Sequence, residues 1–455
     1  MQTVLRALLL CCALPLFAVD LGDLLRGARE RDLECKRLSL GLENAGISMA
    51  RAKAGRGMQF ALDSSGVMLT QELGPFADYD DTYVSTGNGL SFSLGEPLNT
   101  RFGVSVPLSW STGTDTTSGG VRTGAGVSVT QPINPLLGWT PHAAEDMALR
   151  GAREKAQMEL RSRESALKRE VVSGVRTLVA LEQRLFDAEA SSRDARAELE
   201  KTRALQTYGE GSYAIRRLEG TLAGLEKEKA QTSAEMDLRR AALERKTGAS
   251  LDGSRLSASL TLGEPRPVSS FTAEPAANQA VYLAGLAVDL AAERSKEEGF
   301  KDLPVLSVRG GYNFYTVYLK DVLYWYHYPA VSLSVSWKVF DNGTSRLDAE
   351  SLRNELAMAR IGFQEAEEAF RASWAEIVLS ARDMETRRDR FLEQKALQEL
   401  ELAEKLDAFR EGIATGLDVE QTRTRMQRLS FDDLLLRCDE WLLSLQAEAL
   451  NPAVH

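Results

Sequence analysis

Histidine is nearly missing from this chain, and cysteine is scarce. Among 455 residues only His142, His327 and His455 occur, and none stands at metal-ligand spacing with cysteine or acidic partners. No phosphate-binding glycine loop and no His-Glu zinc signature is present. The expectation is therefore a protein that is not an enzyme and carries no cofactor or metal. A basic excess is also absent: 55 Lys and Arg against 65 Asp and Glu leave a formal charge of −10, which argues against a general nucleic-acid binder. Beyond the first 18 residues no stretch reaches about 18 consecutive apolar residues, so no membrane-spanning helix is expected.

The first 18 residues read as a secretory signal peptide. Arg6 precedes an apolar run, Ala7 to Phe17, that ends in Leu16-Phe17-Ala18 before Val19-Asp20, the order of such a leader. Cys11 and Cys12 raise the alternative of lipidation, although the leucine-rich residues before Cys11 fit a lipoprotein site poorly. Two cysteines remain, Cys35 and Cys438. Rise along long helices puts them roughly 30 Å and 55 Å from the strand ends, too far apart for a disulfide. Two buried free thiols are expected.

What the chain does contain is a long sentence said twice. A serine-laced strand leads to a long helical run, a glycine turn and a second helix. The first pass is Val127 to Pro132, then Pro141 to Tyr208, then Gly209 to Gly211; the second is Val331 to Trp337, then Thr344 to Arg410, then Gly412 to Gly416. Internal repeats outrank local motifs as evidence of fold. Helical runs of that length extend about 100 Å at 1.5 Å per residue, far beyond a compact domain. Their interleaved charges, as in Arg161 to Glu170 and Glu385 to Glu393, read as solvated faces, while Leu178, Val179, Leu181 and Leu185 read as packing seams.

Between the helical runs the period changes to two. Val331, Leu333, Val335, Trp337 and Val339 alternate with Ser332, Ser334, Ser336 and Lys338; Leu306, Val308, Tyr312 and Phe314 oppose Ser307, Arg309 and Asn313. One apolar and one small-polar face matches a membrane barrel with a wet interior, and equally an antiparallel sheet resting on a soluble core. Aromatics favour the barrel. Tyr312, Phe314, Tyr315, Tyr318, Tyr324, Trp325, Tyr326 and Tyr328 crowd into one short stretch of a chain that is only 7% aromatic. Tyr and Trp concentrate at membrane–water boundaries, so these tyrosines, with Trp325 and Trp337, are candidate membrane-interface aromatics. A lipid-exposed sheet cannot leave open edges; two strands from the second half and two to four from the first must be closed by other copies of the chain.

Tyr328 to Gly343, reading YPAVSLSVSWKVFDNG, closely resembles the strand-to-helix signature of TolC-type outer-membrane efflux proteins, as does Phe409 to Val419. Val127 to Ile133 and Tyr208 to Glu219 are weaker copies. The resemblance spans about Leu21 to Leu450. It implies an α+β membrane protein, internally duplicated, in which long α-helical hairpins form a periplasmic helical barrel and antiparallel strands join a trimeric outer-membrane β-barrel of four strands per chain. It further implies an exit duct of a tripartite efflux or type I secretion system. The partners implied are a homotrimer, a periplasmic adaptor, an inner-membrane pump of the proton-driven RND or ATP-driven ABC type, and outer-membrane lipid. A periplasmic coiled-coil adaptor or structural protein, and a porin-like channel, are the alternatives.

On this reading the chain divides into a signal peptide (1–18), an N-terminal helix (19–57), strands (58–135), a helical hairpin (136–250), a connector (251–275), a helix (276–302), strands (303–341), a second hairpin (342–450) and a tail (451–455). The first strand region is about twice as long as the second, which leaves the strand number open. Gly211, Gly412 and Gly416 mark the helical tips, where the resemblance places the closed entrance and adaptor docking. Asp418 occupies the position of a constricting aspartate there, Gln421 stands where a second is usual, and Phe409 matches an aromatic of the closed state. Arg216 and Arg217, where relatives tend to carry an acid, and Tyr208 complete the candidate gate. An Arg–Asp pair between the hairpins would hold the tip shut; the plainer reading is that Asp418 caps its helix. Phe340-Asp341-Asn342-Gly343 is read as a structural turn and cap.

Overall fold

The computed structural model describes residues 19–72, 81–93, 100–112, 120–133, 142–204, 213–251, 256–301, 303–319, 322–337 and 341–451. In chain order the elements are β1 (Val19–Asp20), α1 (Leu21–Arg31), α2 (Leu33–Gly55), β2 (Gln59–Glu72), β3 (Asp81–Ser93), β4 (Arg101–Thr112), β5 (Gly120–Pro132), α3 (Ala143–Ala204), α4 (Tyr213–Thr247), α5 (Leu256–Ser259), β6 (Leu260–Thr261), α6 (Gln279–Lys301), β7 (Val305–Leu319), β8 (Val322–Ser336), α7 (Thr344–Arg410) and α8 (Gly416–Leu450). No described helix is long and apolar enough to cross a membrane. The chain forms two units. One comprises residues up to Leu40, Ala156–Tyr282 and the chain from Glu365; the other comprises Gly41–Lys155 and Leu283–Gln364.

The first unit is helical, and its core is a seam between α3 and α8. Val172, Val179 and Phe186 recur every seven residues on α3, as do Phe431, Cys438 and Leu445 on α8; all six are buried in one cluster. A seven-residue apolar repeat keeps a seam facing its partner when two helices supercoil. Phe186 and Phe431 meet with ring centroids 5.7 Å apart. Valine is a mediocre helix former, but Val171, Val172, Val175 and Val179 are 0% exposed, and burying each stabilises by about 1.5–3 kcal/mol. Packing outweighs propensity here.

Polar pairs flank that seam and fix its direction. Lys168 Nζ reaches Glu448 at 2.8 Å, Arg176 pairs with Asp439, Gln183 Nε2 donates to Asp432 at 2.8 Å, and Arg428 reaches Asp187 at 2.7 Å. Partner numbers fall as α3 numbers rise, so the two helices are antiparallel. On their other sides α3 pairs with α4 through Arg203–Glu219 and Arg196–Glu226, and α8 with α7 through Arg425–Glu401 and Arg388–Glu440. Cys35 and Cys438 are buried free thiols, and burial pushes the Cys438 thiol up to about 12.

The connector is tied down by a buried acid. Glu182 on α3 is 6% exposed and accepts from the backbone N–H groups of Leu256 (2.6 Å) and Ser257 (3.0 Å), the unsatisfied donors at the start of α5. β6 then pairs in parallel with β1, and Trp441 Nε1 donates to the Gly263 carbonyl at 2.7 Å. At α1, Asp32 accepts from the Cys35 N–H at 2.7 Å and capped α2 is held to α3 by Arg163.

The second unit holds a six-stranded antiparallel meander in the order β2-β3-β4-β5-β7-β8. The four strands per chain implied by the resemblance are thus too few: Gln59–Ser93 and Arg101–Pro132 each make a hairpin of their own. The last strand also does not start where the family signature starts, at Tyr328. It begins at Val322, paired with Leu319, so the aromatic run belongs to the strand itself. Asp341 caps α7 by accepting from the N–H groups of Gly343 (2.9 Å) and Ser345 (2.7 Å), with Asn342 and Gly343 at φ 57° and 82°, the left-handed region that Asn and Gly tolerate. Phe340 lies outside the described residues.

Candidate functional site

The sheet sorts its residues onto two chemically different faces. Backbone register runs unbroken from β3 to β8, so residues in one cross-strand row share a face. One row is Leu62, Leu90, Val104, Val127, Tyr312 and Pro329; the next of the same face is Phe60, Phe92, Phe102, Val129, Gly310 and Val331. Rings pair along this face: Phe92 with Phe102 at 6.1 Å, Phe314 with Trp325 at 5.2 Å, and Tyr312 with His327 at 6.4 Å. These apolar residues are open, Val331 at 82% exposed and Phe60 at 73%.

The opposite face is small and polar. Its rows include Ala61, Ser91, Gly103, Ser128, Gly311 and Ala330, then Gln59, Ser93, Arg101, Thr130, Arg309 and Ser332. The side chains of Ser105 and Asn313 converge over Gly126, where a Cβ would stand 2.8 and 2.7 Å from them; glycine is what lets them lie flat. The hydroxyls of Ser307 and Ser334 are 2.5 Å apart.

The candidate interface aromatics divide between the faces. Tyr312 and Trp325 lie on the apolar face, and register puts Tyr318 opposite Leu323 in an apolar row; Trp337 follows β8 and is exposed. Tyr324, Tyr326 and Tyr328 share parity with Ser332, Ser334 and Ser336, with Tyr315 the register partner of Tyr326. The local run of rings did not reveal this split, because it depends on where the strand starts.

At the turn between α7 and α8, α7 ends at Gly412, whose φ of 78° closes the helix, with Ile413 N–H donating to the Ala408 carbonyl at 2.8 Å. Asp418 and Thr415 then form a reciprocal cap. The carboxylate accepts from Thr415 N–H at 2.8 Å and from its hydroxyl at 2.7 Å, while Asp418 N–H donates back to Oγ1 at 3.3 Å. The Thr415 hydroxyl, then its N–H, hold the Asp418 carboxyl below the usual range. Arg216 and Arg217 are exposed on α4, and among the described residues neither pairs with Asp418. Phe409 is half exposed beside Gly416. Tyr208 and Gly211 lie outside the described residues. Beside this turn, Asp187, Arg193, Glu420 and Arg428 line a groove of ≈ 650 Å³ between α3 and α8.

Residues 24–262 match the family model described as the TP096X N-terminal domain. The chain belongs to that family. No curated protein matches the sequence. Among solved structures the chain resembles the outer membrane protein VceC of Vibrio cholerae at 15% identity and a TM-score of 0.58, covering 95% of this chain and 96% of that one. It also resembles CusC (13%, TM-score 0.56, 96% and 94% covered) and the CmeC outer membrane channel of Campylobacter jejuni (10%, TM-score 0.56, 96% and 87% covered). The fold is that of TolC-type proteins over essentially the whole length, which the family model, limited to the first half, does not reach. Sequence reasoning missed Arg101 and its row with Arg309, because nothing local links residues so far apart.

Proposed function

We propose that the protein is an outer-membrane duct: the passive exit channel of an efflux or type I secretion assembly, with its helices in the periplasm. The observation that carries the reading is the two-faced sheet. If the serine face met lipid, Arg101 and Arg309 would each cost about 2–4 kcal/mol near the bilayer centre; if the apolar face meets lipid, both arginines sit in water. The sheet's outer edges, β2 and β8, need partners in a membrane. An antiparallel meander with an even number of strands has edge strands of opposite direction, so head-to-tail copies continue the pattern around a ring. Three copies give eighteen strands, a size at which barrels leave an aqueous channel.

A signal peptide at 1–18 would deliver the chain to the periplasm, and an adaptor docked at the helical tips would connect it to an RND- or ABC-type pump that supplies the energy. The Thr415–Asp418 cap supports a structural role for Asp418 ahead of a gating one. The decisive experiment is reconstitution of the detergent-extracted protein in planar bilayers, with its assembly state measured in parallel. Discrete conductance steps from a trimer are expected; a water-soluble monomer that forms no pores would end the proposal.

A further inference from the structure

We infer that Arg101 and Arg309 form a cationic belt on the wall of the duct that favours anionic solutes. The inference rests on the duct reading, and goes beyond it by assigning a charge preference to the lumen. Both arginines lie in one row of the serine face, on either side of Thr130. Two strand spacings separate them, about 10 Å. Both are exposed, and among the described residues neither makes an ion pair. The rest of their row is neutral: Gln59, Ser93, Thr130 and Ser332. By register Asp63 belongs to the same face, two rows further along β2 at the level of Gly89, Ser105 and Gly126, whereas no position of the arginine row carries an acid.

Placement makes the pair more than stray surface charge. The chain as a whole is acidic, at −10, yet this row carries two arginines and no acid. The row lies four residues from the end of β8 that leads to α7, so every solute passing from helices to strands crosses it. A threefold ring would hold six guanidinium groups at one level. Rings of Arg or Lys are how pores select anions, and the surrounding serines and glycines leave the guanidinium groups reachable from the lumen.

Screening sets the conditions of the test. The Debye length is about 30 Å at 0.01 M salt and about 3 Å at 1 M, so a belt on the wall of a wide pore acts only in dilute salt. Reversal potentials in potassium chloride gradients should show chloride preferred near 0.01 M. R101Q/R309Q should lower the chloride-to-potassium permeability ratio by roughly 10-fold, the low end of field focusing in a charged cleft, and R101K/R309K should retain the preference. At 1 M salt wild type and variants should agree, which also shows that the variant pores assemble. Pores that conduct but are cation-selective, or whose selectivity the glutamine variant leaves unchanged, overturn the belt alone. Absence of any pore from the wild-type protein overturns the duct and the belt together.

Discussion

Replacing Val331 by arginine, and separately Ala330 by arginine, places one charge on each face at neighbouring positions of β8. Val331 is 82% exposed and belongs to the apolar row with Phe92 and Phe102; Ala330 lies opposite Gly311 on the serine face. The middle of β8 is Pro329, and two residues further is only about 7 Å along a strand, so both sites lie near the centre of the proposed membrane band. Arginine facing lipid at that depth costs about 2–4 kcal/mol, hence roughly 6–12 kcal/mol over three copies. On the serine face the same group meets water and small side chains and should cost less than about 1 kcal/mol, as surface substitutions generally do. Denaturant titration of the lipid-reconstituted assembly, following the loss of the oligomer band, reads the difference. V331R should fail to assemble or lose its barrel at much lower denaturant, while A330R stays close to wild type. Equal effects, or a worse A330R, would mean that the apolar face does not meet lipid.

Other expectations follow from single contacts in the helical unit. Glu182→Ala leaves two backbone donors at the start of α5 without their charged acceptor; at about 1.5–3 kcal/mol for such a bond, a loss of roughly 3 kcal/mol is expected, seen as faster protease nicking of 252–275. Glu182→Gln should keep about half of that stability. Asp32 is held below the usual carboxylate range chiefly by its hydrogen bond from Arg163. Its stabilising effect is therefore complete above the unfolded value of about 3.9 and is lost as pH falls below it. Melting temperatures of wild type should drop in that window relative to neutral pH by more than those of Asp32→Asn, which starts lower. Gly27→Ala would drive a methyl into the Thr247 carbonyl; a penalty of about 1–3 kcal/mol should appear as faster hydrogen exchange in α1.

Much of the architecture is legible in the sequence because its signals are local. The alternation of Val331 to Ser336 needs no partner to be seen, and β8 carries it. Gly412 and the Thr415–Asp418 spacing announce a helix end and a cap within seven residues, and both are there. What escapes local reading depends on contacts across the chain. The resemblance implies four strands per chain, while the length of 58–135 leaves the number open between four and six; the six observed reflect two separate hairpins in 59–132. The faces of Tyr324, Tyr326 and Tyr328 follow only once β8 is known to start at Val322. Glu182 looks like one more solvated acid of a charged helix until Leu256, 74 residues on, comes down on it.

The helical unit leads to the same requirement for partners as the sheet does, by an independent route. α3 and α8 are central, each flanked on two sides, and their seam residues are buried. α7 packs on α8 and, nearer its start, meets α6 where Phe363 lies against Gly285 and Arg294 reaches Glu355, yet it keeps Leu379, Leu392, Leu397 and Leu400 between 53% and 69% exposed. Singly scattered surface leucines need no explanation. These fall within 22 residues of one helix otherwise rich in Glu, Lys and Arg, and α4, at the other end of the row, exposes Leu238 at 67%. If copies stand side by side, α7 of one meets α4 of the next, and that contact covers these leucines. Hence a polar substitution such as Leu397→Glu should weaken assembly although no residue of the sheet has changed. A ring that tolerates it at all three copies would separate the closure of the helices from that of the strands.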